Sequence, residues 1–396
     1  MQKESLGNKI PFWLILMALI TALGPITIDM YLPTFPDIAQ DLQVSSHEIE
    51  LTVSSYLLGL SVAQLFIGPI TDRYGRKKPL LFGLGLYLLA TISCALAPSF
   101  DMLLVSRTLQ AFGAAACIVI PRAVIRDHYS TQEAAHALSL LMLIMGLAPV
   151  LAPMAGSFLG PIIGWRGLFA VMLVVAVLLI ILCIIKLEES LKPENAVKLS
   201  AKTISSNYFG LLRHRNFMAF ALSGGLGMAG LFSFIASSPT IFITQFGIAP
   251  ENFGFFFGLN AGGLILGSQI SVRMLRKHPS FSVLKIALLL GLGCCAIGLL
   301  LTLTGLMNLS LFVICMFFFS ACLGVINPNA TALALKEQGG RLGVASALMG
   351  CMLFLFGTLT SSLVSSWQTG TTLPLFTSLF VCIGISFICG RFVGRA

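Results

Sequence analysis

Residues 68–79 read Gly68-Pro69-Ile70-Thr71-Asp72-Arg73-Tyr74-Gly75-Arg76-Lys77-Lys78-Pro79. The segment is strongly basic, punctuated by glycine, and flanked on both sides by long apolar runs. Two membrane-crossing helices of roughly 20 apolar residues each, joined by a tight turn, produce such a polar island. Gly68 allows close helix approach, and Gly75 permits an otherwise strained turn. Asp72 can face the positive end of another helix. Arg76 can reach a carboxylate on a neighbouring helix end, for which Asp127 is the obvious candidate. A generic basic loop needs only its Lys and Arg, not this spacing.

The rest of the 396 residues agrees with a membrane setting. Apolar residues make up 57% of the chain and charged residues 10%, against about 25% charged in an ordinary globular protein. Mean hydropathy is +0.95. These values exclude a disordered chain and leave too little polar surface for a soluble enzyme. The net charge of +9 would hint at nucleic acid in a soluble protein; here the position of the charges decides, and no nucleic-acid partner is expected. The ten cysteines, from Cys94 to Cys389, lie inside apolar segments without ligand spacing and read as small packing residues. The first apolar run begins at Phe12 and many comparable runs follow, so a removable signal peptide is not expected.

Runs long enough to cross a bilayer number twelve: residues 11–34, 49–70, 79–97, 101–123, 136–160 and 165–186, then 214–243, 252–273, 283–304, 309–334, 342–366 and 371–391. The predicted fold class is therefore an all-α integral membrane protein with 12 transmembrane helices in two six-helix halves. The longest polar stretch holds Glu188, Glu189, Lys192, Pro193, Glu194, Asn195, Lys198 and Lys202. It reads as a linker or, in part, a surface helix. The organisation expected is an N-terminal half at 1–187, a cytoplasmic linker at 188–213 and a C-terminal half at 214–396.

With a cytoplasmic N-terminus, all but two of the 24 Lys and Arg fall at cytoplasmic connections or ends. The exceptions are Arg166, outside, and Arg107, within span four. The outer connections carry Asp37, Asp41, Glu48, Glu50, Asp101 and Glu251. This bias places both termini in the cytoplasm.

An ionisable side chain at membrane depth is a functional candidate by default. Asp29 lies in span one, eight residues before Asp37, and Arg107 in span four, six residues after Asp101. A rise of about 1.5 Å per residue puts both at similar depth, able to share one aqueous cavity if spans one and four are neighbours. Asp29 reads as a proton carrier or a counter-charge for a cationic substrate; the alternative is a cap on a helix end interrupted by Pro25 and Pro33. For Arg107 the alternative is a structural pairing with carbonyls across helices. Tyr31, Tyr56, Gln64, Gln110, Asn260 and Asn327 are neutral polar residues able to line a substrate path or to bond across helices. Aromatic clusters such as Phe253 to Phe257 read as lipid-facing or packed core.

The basic turn resembles the signature loop of the major facilitator superfamily, G-x-x-x-D-R-x-G-R-[KR], carried here by Gly68, Asp72, Arg73, Gly75 and Arg76. Arg107-Thr-Leu-Gln110-Ala-Phe-Gly113 is similar to the superfamily's span-four motif, with Ala111 in place of one Gly. Gly146-Leu-Ala-Pro149-Val-Leu-Ala-Pro153-Met-Ala-Gly156 is similar to the span-five motif of drug–proton antiporters, with Ala152 and Ser157 where Gly is usual. It is read as a hinge that kinks a helix between the halves. Asp29-Met-Tyr-Leu-Pro33, Tyr56-Leu-Leu-Gly59, Gln64-Leu, Arg126-Asp127 and Ala249-Pro-Glu-Asn-Phe-Gly254 narrow the resemblance to the bicyclomycin-resistance (Bcr/CflA) subfamily.

That resemblance implies a multi-pass protein of the bacterial inner membrane. It would be a monomer that exports small amphipathic molecules against protons and uses no cofactor beyond the proton gradient. Some related antiporters carry a second acid about two turns earlier in span one; Thr21 stands in that region here, so Asp29 would do more of the coupling. Parallel halves are expected, with Gly267 as a weak counterpart of Gly68. No GxxxxGK[ST] cradle for ATP phosphates is present. The cluster of Asp72, Arg76 and Asp127 is expected to latch the outward-open state. Rival readings are a proton symporter or an exporter dedicated to one metabolite, peptide or siderophore. A membrane enzyme is disfavoured because all five histidines sit at span ends or loops, and a channel because no filter-like run is present.

Overall fold

The computed structural model describes residues 11–129, 131–191, 194, 201–367 and 369–393. Of the expected linker, Lys192, Pro193, Asn195 and Lys198 lie outside these, as do both chain ends. The helices are α1 (Phe12–Asp29), α2 (Phe35–Leu42), α3 (Ser46–Tyr74), α4 (Lys77–Ala95), α5 (Phe100–His128) and α6 (Thr131–Lys186). They continue with α7 (Ala201–Leu212), α8 (Arg215–Pro239), α9 (Pro250–Met274), α10 (Ser280–Leu303), α11 (Leu309–Leu335), α12 (Leu342–Ser366) and α13 (Leu373–Val393). A 3-10 turn at Leu32–Thr34 joins α1 to α2, and a π-helical segment, Thr240–Gln245, extends α8. No strand occurs among the described residues.

Local chemistry sets these boundaries. Ser45 and Glu48 form a reciprocal capping box that starts α3, and Ser99 and Asn308 accept from the first-turn amides of α5 and α11. At Gly75, φ is +92°, a conformation open to glycine, and α3 ends there. Helix α6 is longer than a bilayer requires; its one non-helical residue is Gly164, with φ 69° and ψ 172°. That residue divides α6 into two crossings, which brings the count to twelve. Pro149 and Pro153, expected to kink this helix, lie within its first crossing at helical backbone angles.

Within the first half, α1 packs on α5 and α6, α3 on α5, and α4 on α5 and α6. In the second half, α8 packs on α11, α12 and α13, α9 on α11, and α10 on α11 and α13. Pairing for pairing, the second arrangement repeats the first. The halves meet along two main seams, α3 against α12 and α6 against α9. Large side chains such as Phe82, Phe158 and Leu96 point away from the bundle and are exposed, as lipid-facing residues must be. The turn after α3 and the end of α5 define a basic face; Asp37, Asp41, Asp101 and Glu251 mark the opposite, acidic face.

Candidate functional site

Arg107 sits at the centre of the first half and is wholly buried. Its guanidinium carbon lies 4.3 Å from the Tyr31 ring centroid, 4.5 Å from that of Tyr56 and 5.9 Å from that of Phe169. It donates to Gln110 Oε1 at 2.6 Å and to the Thr27 carbonyl at 3.0 Å. Gln110 Nε2 donates in turn to Thr91 Oγ1 at 2.8 Å, and Thr27 Oγ1 is bonded to Tyr87 at 2.7 Å. The R-x-x-Q spacing follows from this geometry, since residues three apart share a helix face. Gly113 is required one turn on: a Cβ there would meet the Tyr87 backbone of α4. Aromatic faces and neutral acceptors thus stabilise the charge without a carboxylate. Tyr31 also bonds Thr52 at 2.8 Å.

Asp29 is the last residue of α1 and is 2% exposed. Its Oδ1 has no hydrogen-bond partner, and among the described residues no ion pair involves it. Helices α1 and α5 are neighbours, as a shared site requires, yet Arg107 engages the Thr27 carbonyl, two residues upstream, rather than Asp29. A helix's final turn offers unpaired carbonyls, not N–H donors, so Asp29 has no capping function there.

The basic turn forms a polar cluster. Arg76 Nη1 donates to Asp72 at 2.7 Å, and Nε donates to Asp127 at 2.9 Å. Burial opposes the charge on Arg76, but the carboxylates of Asp127 and Asp72 outweigh it and hold the guanidinium more firmly protonated than usual. Asp72 pairs with Arg76 and is 52% exposed at its side chain. Arg73 is exposed. Gly68 does not serve a close approach: a Cβ there would meet nothing within 4 Å, whereas one at its counterpart Gly267 would overlap the Ala321 carbonyl. Two residues of the central polar stretch complete the cluster. Glu189 accepts from the backbone N–H of Arg76 at 2.7 Å and of Lys77 at 3.1 Å, and Ser190 donates to Asp127 at 2.9 Å. No spacing in the sequence signals these contacts, which join positions more than 60 residues apart.

Of the span-five residues, Gly146 lies opposite Ile265 of α9, and Gly156 packs on the Met30 carbonyl, where a Cβ would overlap it. Ser157 Oγ accepts from the Gly254 N–H at 2.9 Å across the α6–α9 seam. Asn260 accepts from Ser320 of α11, Gln64 lies against Gly350 of α12, and Asn327 is half-buried. The Phe253–Phe257 cluster divides as its two readings suggested: Phe253 and Phe257 are buried among Phe234 and Phe242, while Phe255 is exposed. Glu50, counted above with the outer connections, lies inside α3 and is 1% exposed, because the capping box starts that helix at Ser46.

The Major Facilitator Superfamily description matches residues 17–362. The chain belongs to that superfamily. It is 36% identical to the Uncharacterized MFS-type transporter YdgK of Bacillus subtilis (strain 168), across 92% of this chain and 91% of that one. It is 30% identical to the Bicyclomycin resistance protein homolog of Haemophilus influenzae, across 96% of each chain. Among solved structures, the D-xylose-proton symporter superposes with a TM-score of 0.74 over 97% of both chains at 15% identity, a likeness of fold. This major facilitator protein is therefore a multi-pass membrane transporter and not an enzyme.

Proposed function

We propose that this transporter exports drugs or other small amphipathic compounds across a bacterial inner membrane in exchange for protons, by alternating access. The observation that carries the reading is Asp29, a carboxylate at membrane depth, buried with an unpartnered oxygen and no ion-pair partner among the described residues. A charge so placed costs several kcal/mol, so its proton and the opening of the cavity are coupled. The likeness to a bicyclomycin resistance protein homolog supports a drug-like cargo. The positive-inside bias supports a cytoplasmic basic face with both termini on that side.

Cargo enters between the halves from the cytoplasm or inner leaflet, the halves rock about the α3–α12 and α6–α9 seams, and cargo leaves outward. A proton from outside then neutralises Asp29 and favours return. One pH unit supplies about 1.4 kcal/mol per proton. Arg107 does not pair with Asp29; it lies over the Tyr31 and Tyr56 rings and fixes α1 through the Thr27 carbonyl. The Arg76 cluster latches the outward-open state. The protein acts as a monomer in the bilayer, with small molecule and proton as its ligands.

The test is counterflow of a fluorescent drug in proteoliposomes under an imposed pH gradient. Wild type expels the drug, and Asp29→Asn abolishes the pH dependence. Undiminished proton-coupled transport by Asp29→Asn removes Asp29 from the mechanism. Gradient-driven accumulation of cargo together with protons would make the protein a symporter instead.

A further inference from the structure

Glu50 occupies a position that the transport scheme above does not use. Its Oε1 accepts from the hydroxyl of Thr240 at 2.5 Å, joining α3 of the first half to the segment after α8 in the second. Ser365 of α12 approaches the same carboxylate, yet neither its Oγ nor Glu50 Oε2 completes a hydrogen bond. One turn along, Ser54 and Ser361 are bonded at 2.7 Å. Glu50 and Ser54 are four apart on α3, as Ser361 and Ser365 are on α12, so two polar rungs close the seam near the acidic face. Thr240 and Ser365 are 5% and 3% exposed. Thr240 also opens the π-helical segment, an irregularity that recurs at functional sites.

Few charges face Glu50. On its own helix, His47 Nδ1 lies 3.7 Å away and Glu48 is exposed in the capping box. Of the neighbouring elements, α2 carries Asp37 and Asp41, the latter bound by Trp165 and Arg166, and α5 carries Asp101 in its exposed first turn. Tyr31 is bonded to Thr52. The acidic-face ends of α12 and α8 carry no ionisable side chain. Among the described residues, only His47 comes within ion-pair range.

We infer that Glu50 is a second proton-binding residue, a gate at the acidic-face seam that closes when its carboxyl is neutral. A carboxylate sealed here with one neutral donor carries a desolvation cost of several kcal/mol. A proton taken from water onto Oε2 removes the buried charge and lets Oε2 donate to Ser365 Oγ, while Oε1 keeps the Thr240 bond. Loss of that proton to water restores the charge, and the seam opens to hydrate it. The inference rests on the transporter reading for its orientation, which puts this seam outside, so that external acid closes the outer gate. Its proton returns to the side from which it came, and Glu50 does not carry net charge across the membrane.

Hydrogen–deuterium exchange of the full chain in lipid nanodiscs, without substrate, tests this separately from transport. Peptides spanning 46–56 and 236–246 are followed between about pH 5.5 and about pH 8.5 and corrected for chemical exchange; one proton allows up to about tenfold per pH unit. Wild type should be protected in acid and exchange faster in base. Glu50→Gln should stay protected throughout, and Glu50→Asp should retain the pH dependence. In the infrared, the protonated-carboxyl signal should be smaller in Glu50→Gln than in wild type, with the remainder due to Asp29. Wild-type exchange independent of pH, or an unchanged pH dependence in Glu50→Gln, overturns the gate. Loss of the pH dependence in His47→Gln with Glu50 intact transfers the switch to the imidazole and also overturns it. Failure of drug counterflow alone, with these exchange results intact, would sink the export reading and leave the gate.

Discussion

The guanidinium of Arg107 lies over the ring of Tyr31 at 4.3 Å and spends its hydrogen bonds on a glutamine and a backbone carbonyl. A buried cation held this way is fixed in place but not neutralised. It anchors α1 through the Thr27 carbonyl, two residues before Asp29.

Arg107→Lys keeps the charge and loses the planar fork that serves two acceptors between two rings. Each charged hydrogen bond contributes about 1.5–3 kcal/mol. The variant should unfold at lower temperature than wild type and transport at least about tenfold more slowly, tenfold corresponding to about 1.4 kcal/mol. Thermal unfolding of purified protein and proteoliposome flux check both. Wild-type flux from Arg107→Lys would show that point charge alone suffices.

The Arg76 cluster gives a prediction of a different kind, since Arg76 bonds to the carboxylates of Asp72 and Asp127. Asp127→Ala should shift the balance between inward- and outward-open states while leaving substrate affinity within either state unchanged. State-selective labelling of an exposed introduced cysteine, set beside equilibrium binding, separates the two. A changed affinity with an unchanged balance would make Asp127 a binding residue. A double-mutant cycle with Arg76→Ala should give a coupling of about 0.5–3 kcal/mol.

Two glycine substitutions should move stability in opposite directions. A Cβ at Gly156 would overlap the Met30 carbonyl, whereas one at Gly262 of α9 meets nothing within 4 Å. Gly156→Ala should lose about 1–3 kcal/mol by overpacking, and Gly262→Ala should gain about 0.5–1 kcal/mol from reduced chain entropy. Thermal melts of the two variants in the same detergent decide the sign of each.

Ser54 and Ser361 touch across the α3–α12 seam. Cysteines at both positions should form a disulfide under mild oxidant, arrest transport, and release it on reduction; either single cysteine should transport normally. Native cysteines form no disulfide. Cross-linking without arrest would show that this seam need not part during the cycle.

Much of this was legible from the chain. The basic turn, the Arg76–Asp127 pair and the Arg107–Gln110 spacing are local or motif-borne, and the spans follow from apolar run length. Other features depend on partners far away in sequence. Glu50 sits four residues from a loop and looks exposed until Thr240 and α12 of the other half close over it. Glu189 reads as one more charge in a polar stretch, since its partners are backbone N–H groups that leave no residue signature. Gly68 and Gly267 occupy like places in a repeat, but only the second meets a neighbouring backbone, because side-chain size fixes what a position permits and not what packs there.

The clasp made by Glu189 and Ser190 bears on how the molecule can be divided. Anyone co-expressing it as two polypeptides would sever it by instinct where the apolar character stops, just after Lys186. Such a cut would leave the first fragment without the carboxylate that holds its own hairpin, and hand that carboxylate to the wrong partner. A junction placed beyond Leu191 keeps each piece with the fastenings it needs.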